Sequence, residues 1–145
     1  MTTAYDNSKL RSYYFAGVDF GATDSTQVIA APLTGRSSKD GLAGEGARGR
    51  VRGYTVYNVT ETFAGSTTDA GITVGDGTTA NLYFEDNLEL DETVTPGDSV
   101  YVVDNGDAVD IPGGATTPLT VTFVAATGTP TGIADVLLDI EWFDL

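Results

Sequence analysis

Carboxylates are the main side chains in this sequence that could do chemistry, with 21 Asp and Glu among 145 residues. A glycosidase needs two of them held roughly 5 to 10 Å apart in a cleft. Here the carboxylates alternate with apolar residues on predicted strands or lie in Gly-rich loops, which is typical of a solvated face. The chain has no His and no Cys, so Ser–His and Cys–His catalysis are excluded. We therefore predict that the protein is not an enzyme.

Two acidic stretches could in principle hold calcium, which takes oxygen ligands from carboxylates and carbonyls. The stretch "DNGDAVD" carries Asp104, Asp107 and Asp110, and "VGDGTT" carries Asp76 between two glycines. Neither has the spacing of an EF-hand loop. Asp beside Gly is also what tight turns favour. These stretches therefore predict turns, and we expect no metal site.

The stretch "GEGARG", Gly44 to Gly49, matches the pattern G-x-G-x-x-G. That pattern binds a dinucleotide when a strand precedes it and a helix N-terminus follows to hold the pyrophosphate. Here a β-pattern follows instead of a helix. The stretch therefore predicts a flexible glycine loop rather than a dinucleotide-binding site.

Arg48, Arg50 and Arg52 alternate at the start of a predicted strand, so their side chains project from one face. Guanidinium groups bind carboxylates in a bidentate manner and are favoured at interfaces, which indicates docking onto an acidic surface. An exposed strand edge kept soluble by charge would show the same pattern. Both interpretations stay open. Under the docking hypothesis, Lys9 and Arg11 are also partner-binding residues.

Positive charge ends at Arg52. Residues 1–52 carry seven basic and five acidic residues, a net charge of +2, whereas residues 53–145 carry sixteen acidic residues and no basic one. The overall charge of −14 disfavours binding to nucleic acids and to anionic membranes. Two parts of opposite sign indicate a partner at one end.

The elements that carry these residues are predicted to be strands. The C-terminal "ADVLLDIEWFDL" and the preceding "PLTVTFVAATG" both alternate with period two, and "GTPTG" supplies a turn between them. In the C-terminal stretch one face carries Val136, Leu138, Ile140 and Trp142, and the other carries Asp135, Asp139 and Glu141.

The stretch "GRVRGYTVYNVTETF" predicts a long strand whose apolar phase changes at Gly53, where a bulge is expected. Further strands are predicted at Tyr13–Phe20, Gln27–Leu33, Ile72–Val74, Ala80–Phe84, Ser99–Val103 and Ala108–Ile111. The stretch "YFEDNLELDETV" fits either a brief helix or an acidic loop. Short strands at this spacing predict an all-β fold, a sandwich or a barrel.

One domain is expected at residues 13–145, preceded by a flexible arm at residues 1–12 and containing a flexible Gly-rich loop at 35–49. Both segments have too little apolar surface to offset the entropy lost on ordering. The N-terminus has no basic segment followed by an apolar run, and no stretch approaches the length of a membrane span. We expect a soluble protein without a secretion signal.

The order of these pieces resembles small capsid decoration proteins, also called cement or head-stabilising proteins, of tailed bacteriophages. The similarity covers residues 48–143. It is strongest at "ITVGDGT" and at the closing "ATGTPTGIADVLLDIEWF".

The resemblance implies an antiparallel, jelly-roll β-sandwich without catalytic residues or a cofactor. It also implies a homotrimer on the outer capsid surface of the virion, made in the host cytoplasm, with the major capsid protein as its partner. The alternative is a binding module, such as a tail-fibre tip or a carbohydrate-recognition sandwich with Tyr-lined loops.

Overall fold

The computed structural model describes residues 9–30, 47–88, 94–104, 106–112 and 119–143. These ranges form eight strands: β1 (Lys9–Asp19), β2 (Ser25–Ile29), β3 (Arg48–Thr68), β4 (Ala70–Gly75), β5 (Phe84–Leu88), β6 (Val100–Val103), β7 (Leu119–Val124) and β8 (Thr127–Phe143). The same ranges contain no helix, and hence none that is long and apolar enough to cross a bilayer.

The strands form two four-stranded antiparallel sheets that pack face to face. Sheet A has the order β1-β8-β3-β6, and sheet B has the order β2-β7-β4-β5. This is the order of an eight-stranded jelly roll. The predicted all-β, antiparallel sandwich is therefore confirmed.

The core lies between the sheets and takes alternate residues from each strand, because successive side chains of a strand point to opposite faces. From β8 it takes the predicted face of Val136, Leu138, Ile140 and Trp142, all fully buried. Across the core, Phe20 contacts Phe63 and Phe123 at ring-centroid distances of 5.5 and 5.9 Å. Burying side chains of this size contributes about 1.5 to 3 kcal/mol each.

A bulge changes the apolar phase of β3 near its start, as predicted. The pairing of β3 with β8 shifts between Val51 and Gly53, so Val51 and Tyr54 both face the core. A Cβ atom at position 53 would collide with the carbonyl oxygen of Val102 in β6. Glycine at the bulge therefore lets the edge strand β6 pair closely with β3.

A second irregularity restores the original phase of β3. The register with β8 shifts again between Tyr57 and Glu61, and Asn58 has a positive φ of 49°. Asn tolerates this left-handed conformation better than most residues. Beyond it, Val59 and Phe63 face the core.

The predicted turn "GTPTG" is wrong, because these residues lie inside β8. Thr131 pairs with Ala64 and Gly128 pairs with Ser66 in the second half of β3. The connection between β7 and β8 is only Ala125 and Ala126. The 21 residues of β3 offer backbone partners to this segment, and that pairing overrides the local turn preference of Gly and Pro.

The predicted strand at Ala80–Phe84 is also wrong. The strand begins at Phe84 and continues to Leu88, within the stretch for which a helix or an acidic loop was predicted. Its inward positions are Phe84, Asp86 and Leu88, which are less exposed than Glu85 and Asn87 between them. Because a carboxylate occupies one of the inward positions, the sequence of this strand does not show an apolar alternation.

Two further predicted strands differ in extent from what the structure shows. Strand β2 runs from Ser25 to Ile29 rather than over Gln27–Leu33, and residues 31–33 lie outside the described ranges. The predicted strand at Ala108–Ile111 is reduced to an isolated bridge between Ile111 and Gly49.

Two segments that were predicted to be flexible belong in part to strands. Strand β1 begins at Lys9 and pairs with β8 from its first residue, so residues 9–12 of the predicted arm belong to sheet A. At the end of the predicted loop at 35–49, Ala47 is fully buried, and Arg48 and Gly49 begin β3. The remaining residues of these predictions, 1–8 and 35–46, lie outside the described part of the chain.

Candidate functional site

The outer face of sheet A, which points away from sheet B, is the main candidate surface. Strand pairing aligns Tyr14 of β1, Leu137 of β8, Thr55 of β3 and Tyr101 of β6 in one row across it. Residues opposite one another in antiparallel strands share a face. Tyr57 belongs to the next row, and its ring centroid lies 6.4 Å from that of Tyr14. Three tyrosines therefore lie on one rigid sheet.

Several large apolar side chains of this face are accessible. Tyr14 is 56% exposed, Tyr101 is 57% exposed and Val103 is 61% exposed, and Leu10 at the other end of β1 is exposed as well. Single apolar side chains on a surface are ordinary, but several aromatic and aliphatic side chains on one face of a sheet are characteristic of protein interfaces. We call this group, Leu10, Tyr14, Tyr57, Tyr101, Val103 and Leu137, the tyrosine face.

A buried carboxylate fixes one side of the tyrosine face. Asp135 is only 7% exposed. Its carboxylate accepts hydrogen bonds from Asn58 Nδ2 at 2.9 Å, the Gly17 backbone N–H at 2.8 Å and the Tyr14 hydroxyl at 2.8 Å. The hydrogen bond from Asn58, followed by those from Gly17 and Tyr14, lowers the pKa of Asp135. The same carboxylate raises the pKa of Tyr14, because it accepts a hydrogen bond from the protonated hydroxyl.

A second carboxylate of β8 is held in the same way. Asp139 is 9% exposed, and its Oδ1 accepts a hydrogen bond of 2.6 Å from the Ser12 hydroxyl of β1. The sequence predicts a solvated face for Asp135 and Asp139, and the structure corrects this. Strand β8 lies between β1 and β3, so neighbouring side chains cover both carboxylates.

The three arginines lie at one end of the same face, as their alternation predicts, but two of them have partners within the chain. Arg52 donates to Glu141 Oε1 from Nε at 3.0 Å and from Nη2 at 2.6 Å. Arg50 donates to the carbonyl oxygen of Ala108 at 3.1 and 2.5 Å. Arg50 and Arg52 therefore connect β3 to neighbouring segments of the chain.

The third arginine and the two cations of β1 are more accessible. Arg48 is exposed and lies opposite Phe143 of β8. Lys9 and Arg11 are exposed but lie opposite Trp142 and Ile140, whose side chains face the core. They therefore occupy the inward side of β1, at the edge of the sandwich. The five predicted binding residues do not form one patch.

The carboxylates of the two acidic stretches form hydrogen bonds that stabilise their own turns and loops. Asp76 Oδ1 accepts hydrogen bonds from the Thr79 and Thr78 backbone N–H groups at 2.8 and 2.9 Å, which lower its pKa. Asp104 Oδ1 accepts a hydrogen bond of 3.1 Å from the Ala108 backbone N–H. Oδ1 of Asp110 lies 3.7 Å from Nε of Arg50. In the part of the chain that the structure describes, no group of three or more potential ligands is placed to hold a metal ion.

The tyrosine face was missed at the level of sequence. Its members come from four strands, so only the register brings them together. The available signal was the presence of large apolar residues on the polar side of alternating strands, such as Leu137 between Asp135 and Asp139. No protein-family model matches this chain, and no curated protein sequence matches it.

Proposed function

We propose that this protein is a non-catalytic structural component of a tailed-bacteriophage virion that decorates and stabilises the outer surface of the capsid. In this role its partner is the major capsid protein, and its assembled form is a homotrimer. Two things support it: the resemblance of residues 48–143 to decoration proteins, and the tyrosine face. The tyrosine face is the observation that carries it, because a rigid, exposed aromatic and aliphatic surface suits docking onto another folded protein.

The charge distribution fits the same role. A net charge of −14 keeps densely displayed copies soluble and repels DNA. Arg48 adds an exposed cation at the end of the tyrosine face. We infer that this face turns toward the capsid shell, with Arg48 at the rim of the contact, where charge mainly influences association and specificity.

The tyrosines also favour a second candidate, a carbohydrate-recognition or tail-fibre module. Tyr14, Tyr57 and Tyr101 present aromatic rings on one sheet, and aromatic rings of this kind can stack on a sugar. A glycan array separates this candidate from the first. Binding to glycans without binding to empty heads would replace the decoration proposal.

The direct test mixes purified protein with empty, expanded heads that lack it, and measures occupancy and heat resistance of the heads. The decoration role predicts saturable binding and heads that open at a higher temperature. Absence of binding, or binding without any change in the heads, would reject the proposed function.

A matched pair of variants tests the docking face separately. Val103→Glu places a charge on the tyrosine face, and Val28→Glu places the same charge on the outer side of the edge strand β2 in sheet B, where Val28 is 70% exposed. We expect Val103→Glu to weaken head binding at least about tenfold and Val28→Glu to leave it unchanged. Equal binding by both variants would show that another surface docks, while leaving the decoration role in place.

A further inference from the structure

A cleft of 770 Å³ opens between β5 and β6, the edge strands of sheets B and A on the same side of the sandwich. Its walls include Phe84 and Asp86 from β5 and Val100 and Val102 from β6. Tyr54 of β3 also lines it. The cleft is separate from the tyrosine face, because Val100 and Val102 point to the opposite side of β6 from Tyr101 and Val103.

The cleft exists because the two sheets do not close over each other at this edge. Val100 and Val102 point inward but are only half-buried, whereas every residue of the central strand β4 is buried. Asp107 and Val109, which follow β6 in the chain, also line the cleft, and the Val109 N–H donates a hydrogen bond of 2.8 Å to the Tyr83 carbonyl oxygen. The side chain of Val109 remains more than half exposed.

Both walls offer a free strand edge. Within the described residues, β5 pairs only with β4, and β6 pairs only with β3. The outer edge of a terminal strand presents unpaired N–H and C=O groups that can pair with a further strand. Binding of an extended peptide to such an edge is a recurring mode of recognition.

The acidic side chains at the cleft indicate which kind of peptide strand it would bind. Asp86 points inward from β5, where its carboxylate accepts a hydrogen bond from the Tyr54 hydroxyl. Glu85 is exposed on the other side of the same strand, and Asp107 also lines the cleft. None of the described residues that line the cleft is Lys or Arg. A cationic segment would therefore meet opposite charge from both sides of β5.

We propose that this cleft binds an extended, Lys- or Arg-bearing segment of a partner polypeptide, which adds to the free edge of β5 as a further strand of sheet B. One cationic side chain points inward to Asp86, and its neighbour in sequence points outward to Glu85. The inward residues on either side of the first are apolar and pack against Val100 and Val102. This interaction does not depend on the proposed capsid role.

The probe is a capped, fluorescently labelled peptide of the sequence Thr-Val-Thr-Lys-Lys-Val-Thr, about the length of an ordinary strand. Its inward positions are Val, Lys and Val. We expect saturable binding, measured by fluorescence anisotropy, that weakens as salt is added. A peptide with Glu in place of both Lys is expected not to bind. A peptide N-methylated at alternate backbone nitrogens is also expected not to bind, because it cannot complete a strand pairing.

Two variants with equal changes of charge locate the site. Glu85→Lys reverses an exposed charge at the cleft and is expected to weaken peptide binding about tenfold. Asp69→Lys reverses an exposed charge outside the cleft and is expected to leave binding unchanged. Equal losses in both variants would mean that the peptide senses only the overall negative charge, which would overturn the proposal.

The remaining outcomes are also decisive. Failure of the Lys peptide to bind, or equal binding of its N-methylated form, would overturn addition as a strand. Equal binding of the Glu peptide would overturn the cationic preference. Self-association of the unliganded protein that Glu85→Lys abolishes would show that a second copy occupies the cleft, and would overturn the assignment to a separate partner.

Discussion

The hydroxyl of Tyr14 donates a hydrogen bond of 2.8 Å to Oδ2 of Asp135, joining the edge strand β1 to the central strand β8 across 121 residues of sequence. The contact holds an exposed aromatic ring in place at the margin of the tyrosine face. It also gives a buried carboxylate one of its three hydrogen-bond donors. The stability of the sheet and the shape of the candidate docking surface therefore depend on the same group.

We expect the protein to lose stability in acid because Asp135 becomes protonated. Its pKa in the folded protein lies below the ordinary value of 3.8, so the ionised carboxylate contributes its full stabilisation above that value. The contribution is lost as the pH falls through the lower, folded pKa. We expect the free energy of unfolding, measured with urea between about pH 2.5 and pH 6, to depend less on pH in Asp135→Asn than in the wild type. An unchanged pH dependence would contradict this assignment.

The arginines at the start of β3 should differ in their effect on stability. Arg52→Glu removes two hydrogen bonds to Glu141 and sets two carboxylates side by side. Because the pair is partly exposed, we expect a loss of only about 1 kcal/mol in urea unfolding. Arg48→Glu should change stability by less than about 0.5 kcal/mol. Adding Glu141→Arg to Arg52→Glu should restore much of the loss, and no recovery in this swap would argue against the pair.

Gly49 should tolerate no side chain, because it lies against the single tryptophan. A Cβ atom there would lie 2.5 Å from Cε3 and Cζ3 of Trp142, which is fully buried and donates a hydrogen bond of 3.0 Å to the Tyr13 hydroxyl. We expect Gly49→Ala to cost about 1 to 3 kcal/mol and to shift the tryptophan emission. Gly71→Ala is the control, since its nearest contact would be 3.3 Å. Equal losses in the two variants would refute the steric explanation.

Thr73 should be replaceable with a gain in stability. Its Oγ1 atom is buried without a hydrogen-bond partner in the described structure, and such a group is costly to keep from water. Thr73→Val keeps the branched shape and is expected to raise the free energy of unfolding by about 0.5 to 1 kcal/mol. Thr122→Val should instead lower it, because that hydroxyl shares a hydrogen bond of 3.0 Å with Thr26. A loss in Thr73→Val would show that its hydroxyl is satisfied.

Some local patterns were sufficient to predict their elements. The alternation in β8 identified the buried face that ends at Trp142, and the phase change in β3 located the bulge at Gly53. The predictions failed where the pairing of strands outweighed the local preference of the residues. Residues 128–132 look like a turn but extend β8, because the long β3 lies beside them. The inward Asp86 concealed β5, because its charge interrupts an apolar alternation.

The sequence by itself determined the all-β class, the absence of His and Cys chemistry, and the separation of positive from negative charge. These features follow from composition and from the period of two that any strand imposes on its side chains. Only the tertiary structure decided which residues meet. The register of four strands assembles the tyrosine face, buries Asp135 and Asp139, and sets Arg52 against Glu141. Such contacts join residues far apart in the chain, so no local pattern specifies them.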